Sequence, residues 1–298
     1  MKMTRTAIGI DLGGTRIKAV ALDAFGKQSF EISQPTFDGK ESLWKDAVAF
    51  TLNEIESQLK NEKVVIGIAA PGVPNDGNTA IAHMPGRLEG LENFEWTGFL
   101  EAKTWVVNDA MAALVAEKRF GAAKDKKNIV MLTLGTGVGG AIMIDGKPYQ
   151  GAFNKAGHIG HMVINDEGDP DICGMPGSLE DAIGNATIEK RTGGRFSNTR
   201  SLLEGYRKGD AGAVRAWLTS VRKLAVGIAT LTNILSPEII ILGGGITEAG
   251  NDLFGQLEKF LEKYEWRAGG NKVEIVKAHF GDMAGAIGAA CYALEKRE

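Results

Sequence analysis

Ile8-Gly9-Ile10-Asp11-Leu12-Gly13-Gly14-Thr15, followed by the apolar run Ile17 to Leu22, reads as strand, glycine turn, strand. The same design returns as Met131-Leu132-Thr133-Leu134-Gly135-Thr136-Gly137-Val138-Gly139-Gly140, followed by Ala141 to Ile144. Each second strand runs into a similar close, Asp23-Ala24-Phe25-Gly26-Lys27 in one case and Asp145-Gly146-Lys147 in the other. Glycine permits positive φ and lets a backbone approach a ligand closely. Successive N–H groups in such turns form concave nests for anions. Two nests in one chain suggest two grips on one polyanion, most simply the phosphates of a nucleotide.

Working outward, apolar spacing predicts a third strand at Phe30–Ile32 and a helix in 42–60, where Leu43, Ala47, Ile55 and Leu59 recur at multiples of four. Val64 to Ala69 is a continuous apolar strand stopped by Pro71-Gly72-Val73-Pro74, and 74–100 reads as a long loop or paired short strands. Thr104–Val107 is a strand, and Asn108-Asp109 opens a helix through Phe120 that Gly121 ends. After the second glycine hairpin, residues 147–180 lack a clean period and are rich in Gly, Asp and His, as functional loops often are. The pattern then predicts a helix over 212–235 ended by Pro237, a buried strand at Glu238–Leu242, a helix marked by Leu253 to Tyr264, a strand at Val273–Val276 and a small-residue helix over 283–296. Strands alternate with helices throughout, which argues an α/β fold. A hairpin at the start of each half argues a duplicated unit, with residues 1–118 and 281–298 in an N-terminal lobe and 119–280 in a C-terminal one. Two such lobes are expected to leave a ligand cleft.

Composition narrows the function. The net charge of −3 over 298 residues gives no footprint for nucleic acid or an anionic membrane. Lys124, Lys126 and Lys127 are answered by Asp125 and Glu117 and read as a solvated face. Two cysteines allow at most one disulfide, so a reducing compartment is expected; Cys291 lies in an alanine-rich stretch that predicts a buried thiol. Asp11 interrupts the N-terminal apolar run too early for a signal peptide, and Ile129–Ile144 is too short and glycine-rich to span a bilayer. The expectation is a cytoplasmic protein. Glycine is the deviation: 40 of 298 residues, about 13% against about 7% on average, grouped directly after apolar strands rather than in linkers.

The order of glycine hairpin, strand ending in Asn108-Asp109, second glycine hairpin, Gly157-His158-Ile159-Gly160-His161, and Cys173-Gly174-Met175-Pro176-Gly177-Ser178-Leu179-Glu180 resembles the ROK family of sugar kinases and sugar-responsive repressors. The match runs from Gly9 to Gly288. The resemblance implies an actin-like ATPase (ribonuclease H-like) fold of two α/β lobes, a homodimer, and ATP with Mg²⁺. The repressor branch carries an additional helix-turn-helix domain before the first hairpin. With that hairpin starting at Gly9, a kinase of a free hexose or amino sugar is the leading expectation.

The family places its catalytic base at Asp109; a carboxylate that accepts the proton makes a sugar hydroxyl nucleophilic. The alternative for Asp109 is a helix cap. Asp11 at a strand end needs a partner, and the resemblance has it orient Mg²⁺ or its waters. Gly13, Gly14 and Thr15 from one hairpin and Gly135, Thr136, Gly137 and Gly139 from the other are expected to cradle phosphate, which is most of what phosphoryl transfer requires. Gly243, Gly244 and Gly245 resemble the adenosine-binding turn. For the sugar, the resemblance supplies Asn108, His161 and Glu180.

The sequence departs from the family pattern at two other sugar positions. His158 stands where the family has Glu, and His83, before Met84-Pro85-Gly86, stands where it often has Asn. A neutral His offers one donor and one acceptor where a carboxylate accepts from two hydroxyls, so plain glucose is not expected to be the preferred substrate. The family's zinc run is also altered, to Asp171, Cys173 and Ser178. Structural zinc favours four closed N/S ligands, so zinc is not expected and the loop should be held by packing. Two rival readings remain: a non-catalytic sugar-binding regulator, against which the retained Asp11 and Asp109 argue, and a kinase using polyphosphate, against which the Gly243–Gly245 turn argues.

Overall fold

A computed structural model describes residues 6–38, 43–59, 64–84 and 86–296. Pro85 of the turn after His83, positions 42 and 60 of the first expected helix, and positions 1–5 and 297–298 of the expected N-terminal lobe lie outside the described residues. The chain forms two units: Met1–Asp125 with Gln150–Ala156 and His279–Glu298, and Lys126–Tyr149 with Gly157–Ala278.

In the first unit, β1 (Thr6–Leu12) and β2 (Arg16–Asp23) are the expected hairpin, paired in register from Thr6↔Asp23 to Leu12↔Ile17. Strand β3 (Gln28–Pro35) is longer than the apolar core Phe30–Ile32 predicted, because polar residues alternate with half-buried ones along an edge. Helix α1 (Trp44–Gln58) buries Trp44, Val48, Leu52 and Ile55. Strand β4 (Val65–Ala70) lies parallel to β1. Next comes the pair of short strands β5 (Val73–Pro74) and β6 (Ile81–His83), then α2 (Trp96–Phe99). Strand β7 (Thr104–Asn108) lies parallel to β4 and feeds α3 (Asp109–Phe120) directly. The sheet order is β3-β2-β1-β4-β7. Trp44, Phe94 and Trp96 close one face of it, with the Phe94 ring 5.4 Å from Trp44 and 4.9 Å from Trp96, both edge-on.

The second unit opens with the second hairpin, β8 (Ile129–Leu134) and β9 (Val138–Ile144), extended by β10 (Lys147–Pro148). Helices α4 (Leu179–Ile183), α5 (Ile188–Thr192), α6 (Thr199–Arg207) and α7 (Ala211–Leu235) follow. The apolar pattern announced only α7 among these, since α4 and α5 are five residues long and α6 is mostly polar. A reciprocal capping box between Asn198 and Ser201 was the readable signal for α6. Strand β11 (Ile239–Gly243), α8 (Asn251–Tyr264) and β12 (Glu274–Lys277) complete a sheet ordered β10-β9-β8-β11-β12. Trp217, Leu224 and Ile228 of α7 fill its core with Leu253 and Leu257 of α8.

The two sheets have the same order and the same mixture of antiparallel hairpin and parallel strands. This is the ribonuclease H-like unit, present twice. The chain then returns to the first unit with α9 (Ala284–Glu295), the small-residue helix. Its backbone presses onto the sheet and α3. A Cβ on Gly9 would stand 1.9 Å from the Ala286 carbonyl oxygen, one on Gly67 1.9 Å from that of Ala289, and one on Gly288 1.6 Å from that of Ala112. These glycines are there for space.

Candidate active site

Asp109 is the first residue of α3, where β7 ends, and Asn108 caps the helix. The Asn108 Oδ1 accepts from the N–H groups of Ala110 at 3.0 Å and Met111 at 3.3 Å, and its Nδ2 donates to the Gly72 carbonyl at 3.1 Å. The capping role therefore falls to Asn108, not Asp109. Three of its bonds are committed in this way, and its side chain also bonds the Asp109 carboxyl. Asp109 accepts from the Ala110 N–H at 2.8 Å and is exposed. Open to water, its carboxyl is nonetheless ringed by protein atoms. The openness governs access and the enclosure governs charge: burial pushes the carboxyl above its ordinary value, against the Ala110 N–H, the Arg87 charge and the Asn108 side chain.

Asp11 sits at the end of β1, directly opposite Lys18 in the hairpin register. Burial pushes its carboxyl up to about 7, helped by the charges of Asp109 and Asp282 and opposed by Lys18. Lys18 in turn pairs with Asp282 at 3.0 Å. The Asp11 carboxylate rests on the first turn of α9: a Cβ on Gly285 would lie 2.6 Å from its Cγ. That positive helix end favours an anion. The sequence reading passed over Lys18 and Arg87. Counting residues outward from the glycine turn pairs Asp11 with Lys18 directly; Arg87, in the loop after β6, left no such signal.

The hairpin glycines correct the sequence reading in one respect. None of Gly13, Gly14, Gly135, Gly137 or Gly139 takes a left-handed φ; a Cβ would crowd a neighbour at Gly13, Gly14 and Gly137, whereas at Gly135 it would meet nothing. Gly13 N–H is committed within its own turn to the Arg16 carbonyl at 3.2 Å, and Gly135 N–H to that of Gly137 at 3.0 Å. The first turn is braced by Thr36, whose N–H donates to the Thr15 carbonyl at 3.1 Å and whose hydroxyl donates to the Gly13 carbonyl at 2.5 Å. The second is braced by the N–H groups of Asn185 and Ala186, each 2.9 Å from the carbonyls of Gly135 and Thr136. Glu180 lies against it, accepting from Val138 N–H at 2.8 Å, with its Oε2 only 2.2 Å from where a Cβ on Gly137 would be. Gly243 ends β11, and Gly244 does need its left-handed φ of 84°, since a Cβ there would also meet the Leu134 carbonyl at 2.4 Å. Gly245 faces open space.

The expected sugar residues sit on loops. His83 ends β6, is exposed, and lies 3.5 Å from Glu92. His158 is half-buried just before a short helical turn that ends with His161. His161 Nδ1 lies 2.8 Å from Asp171 Oδ2, and its Nε2 lies 3.5 Å from Cys173 Sγ. His161, Asp171 and Cys173 place ligand-type atoms within 4.8 Å of one another. They do not fit a structural zinc. Asp171 is already bound by its own loop, Ser178 Oγ caps α4 by accepting from Asp181 N–H at 3.2 Å, and two donors do not close a tetrahedral site. Cys173 is an exposed free thiol that burial and the charges of Asp171 and Glu180 keep protonated; Cys291 is free and buried. No helix among the described residues is long and apolar enough to cross a membrane.

Comparison with known proteins identifies the family. The glucokinase of Thermotoga maritima is 30% identical over 97% of this chain and 97% of its own length. The N-acetylmannosamine kinase of Escherichia coli O7:K1 is 30% identical over 98% of this chain and 99% of its own. The crystal structure of a ROK family glucokinase from Streptomyces griseus in complex with glucose and AMPPNP superposes with a TM-score of 0.80 at 25% identity, covering 97% of this chain and 99% of that one. The family model described as ROK matches residues 7–296, and the chain belongs to the ROK family.

Proposed function

We propose that this protein is an ATP-dependent kinase of a free hexose or N-acetylhexosamine, with Asp109 as the general base. The observation that carries the reading is the Asn108-Asp109 junction. Asn108 takes over the helix cap, so Asp109 keeps carboxylate capacity for a substrate while its raised proton affinity makes it a stronger base. A sugar hydroxyl donates its proton to Asp109 as its oxygen attacks the γ-phosphorus of ATP. The bond from that phosphorus to the β–γ bridging oxygen breaks, and ADP leaves.

Mg²⁺ suits the first unit: Asp11 and Asp109 repel each other, and a hydrated divalent cation relieves that repulsion. Asp11 would hold it, and the ion would neutralise charge on the phosphates. With Gly13 and Gly135 committed inside their turns, the N–H donors for phosphate are those of Gly14, Thr15, Thr136 and Gly137, with Gly139 leaving room beside them. Gly243, Gly244 and Gly245 take the adenosine. Asn108, His161, Glu180, His83 and His158 contact the sugar, and the two histidines turn preference away from plain glucose. A sensor without turnover would need neither Asp109 nor Asp11. The reading extends to a cytoplasmic homodimer, in keeping with ATP as donor and two free cysteines.

The test is coupled ATP consumption over a panel of hexoses, N-acetylhexosamines and ketoses, with polyphosphate as a second donor. Sugar-dependent ADP formation, with an N-acetylhexosamine or a hexose other than glucose ranked first, is expected. Glucose ranked first removes the specificity argument; no turnover with any sugar removes the kinase.

A further inference from the structure

Beyond Met162 and Ile164, which pack against the core of the second unit, the loop over 162–178 has little apolar anchorage. Ile172 is 80% exposed, Val163 43% and Met175 40%. Packing, the expectation from sequence, anchors its start. The rest is gathered by one carboxylate. The Asp171 side chain is fully buried. Its Oδ1 accepts from the N–H groups of Cys173 at 2.8 Å and Met175 at 2.9 Å, and its Oδ2 faces His161 Nδ1 at 2.8 Å. Burial pushes this carboxyl up, but the bonds from His161, Met175, Cys173 and Ser178 together outweigh it and hold it below its ordinary value. The backbone closes around the same point. Asp171 N–H donates to the Met175 carbonyl at 2.9 Å, Gly174 N–H to that of Asp171 at 2.9 Å, and Ile164 N–H to that of Gly177 at 3.1 Å.

We infer that Asp171 is a positioning residue: it ties the loop together without a metal and fixes His161 as the Nδ1–H tautomer, with Nε2 as an acceptor. An ionised carboxylate only accepts, so the proton in the His161–Asp171 bond belongs to Nδ1. Nε2 is then a lone pair, and the protonated Cys173 thiol donates to it. A cation bound by Asp171 Oδ2 would have to strip His161 from it, leaving the Nδ1–H without its acceptor. On the proposed function, in which His161 contacts sugar, the consequence is chemical. Nε2 selects a hydroxyl that donates, and that hydroxyl displaces the Cys173 thiol when it binds.

The test reads the tautomer directly. Long-range ¹H–¹⁵N NMR on full-length protein, with His161→Gln to assign the signal among the four histidines, should show Nδ1–H in the wild type. Elemental analysis of untagged protein from zinc-supplemented growth should find zinc far below one per chain. Asp171→Asn keeps an acceptor for the two backbone N–H groups but turns an amide donor toward Nδ1. It should switch His161 to Nε2–H, the inversion expected when an orienting Asp becomes Asn. The sugar KM should rise about tenfold, with kcat changed less. A wild-type Nε2–H tautomer, or about one chelator-resistant zinc per chain, overturns the inference; neither measurement needs the variant to fold. If Asp171→Asn inverts the tautomer and the sugar KM does not move, Asp171 keeps its positioning role and His161 loses its sugar contact.

Discussion

The two units share one strand order, yet they differ at the same point of it. The penultimate residue of β1 is Asp11, opposite Lys18; the penultimate residue of β8 is Thr133, opposite Gly139. One copy places two ionisable side chains where the other has a threonine and a glycine. The parallel strands differ too. The edge strand β7 ends at Asn108, just before Asp109 opens α3, whereas its counterpart β12 ends at Lys277; β11, which ends in Gly243 before Gly244-Gly245, is the counterpart of β4, which ends at Ala70. On the proposed function, one copy supplies the carboxylates for the chemistry, both supply main-chain turns for the phosphates, and the second supplies the turn for the nucleoside. The packing differs in step. Gly9 of β1 aligns with Met131 of β8, because only the first unit has α9 pressing backbone against its sheet.

If chemistry belongs to the first unit, Asp109→Asn should cut kcat about 10³-fold or more while sugar affinity by calorimetry stays within a few-fold. The variant retains an acceptor for the Ala110 N–H, so the helix start survives. A comparable loss from Thr133→Val, with Asp109→Asn active, would break the comparison.

Asp11→Asn should lower kcat about 10²-fold and at the same time stabilise the protein in mild base. The sign follows from the raised carboxyl. With a native value of about 7 against an unfolded value near 3.8, the native state holds a proton that the unfolded chain has lost. The Asp11 contribution to stability is thus full below pH 4 and is lost as pH rises through 7. Urea denaturation at pH 8 should show the variant more stable by about 1–3 kcal/mol, the gain fading toward pH 4. Equal stability at pH 8 would mean that Asp11 is not strained in the native state.

Gly9→Ala should cost about 3 kcal/mol, because its Cβ meets the Ala286 carbonyl of α9. Met131→Leu at the aligned position should cost less than about 1.5 kcal/mol; urea midpoints compare them. The smallest expected effect separates the two turns. In Gly137→Ala, the new Cβ collides with Glu180 Oε2, so kcat/KM should fall about tenfold. In Gly14→Ala, it meets the far end of Arg87 at 3.2 Å, so thermal stability should move within about 0.5 kcal/mol and any loss should fall on the ATP KM.

Much of this was legible in the sequence because the two hairpins carry it. Apolar strands broken by Gly13-Gly14 and Gly135-Thr136-Gly137 specify register as well as turn, and Asn108 before Asp109 marks a helix start. The small-residue run of α9 likewise announced close packing. What stayed hidden depended on contacts far apart in the chain. Thr36 bracing the first turn, Glu180 closing on the second, Arg87 acting on Asp109 and Asp171 gathering its loop are tertiary pairings with no periodicity. Of the two properties expected of the hairpin glycines, the left-handed φ occurs at none, while close approach holds at Gly137, where the Glu180 carboxylate fills the place of a Cβ.

The most direct measurement is a crystal structure with a slowly hydrolysed ATP analogue and the preferred sugar bound together. The account predicts an Asp109 carboxylate oxygen within about 3.2 Å of the reacting sugar hydroxyl, and the phosphates against the amides of Gly14, Thr15, Thr136 and Gly137. Asp109 turned to bulk water, with another group on that hydroxyl, would contradict it.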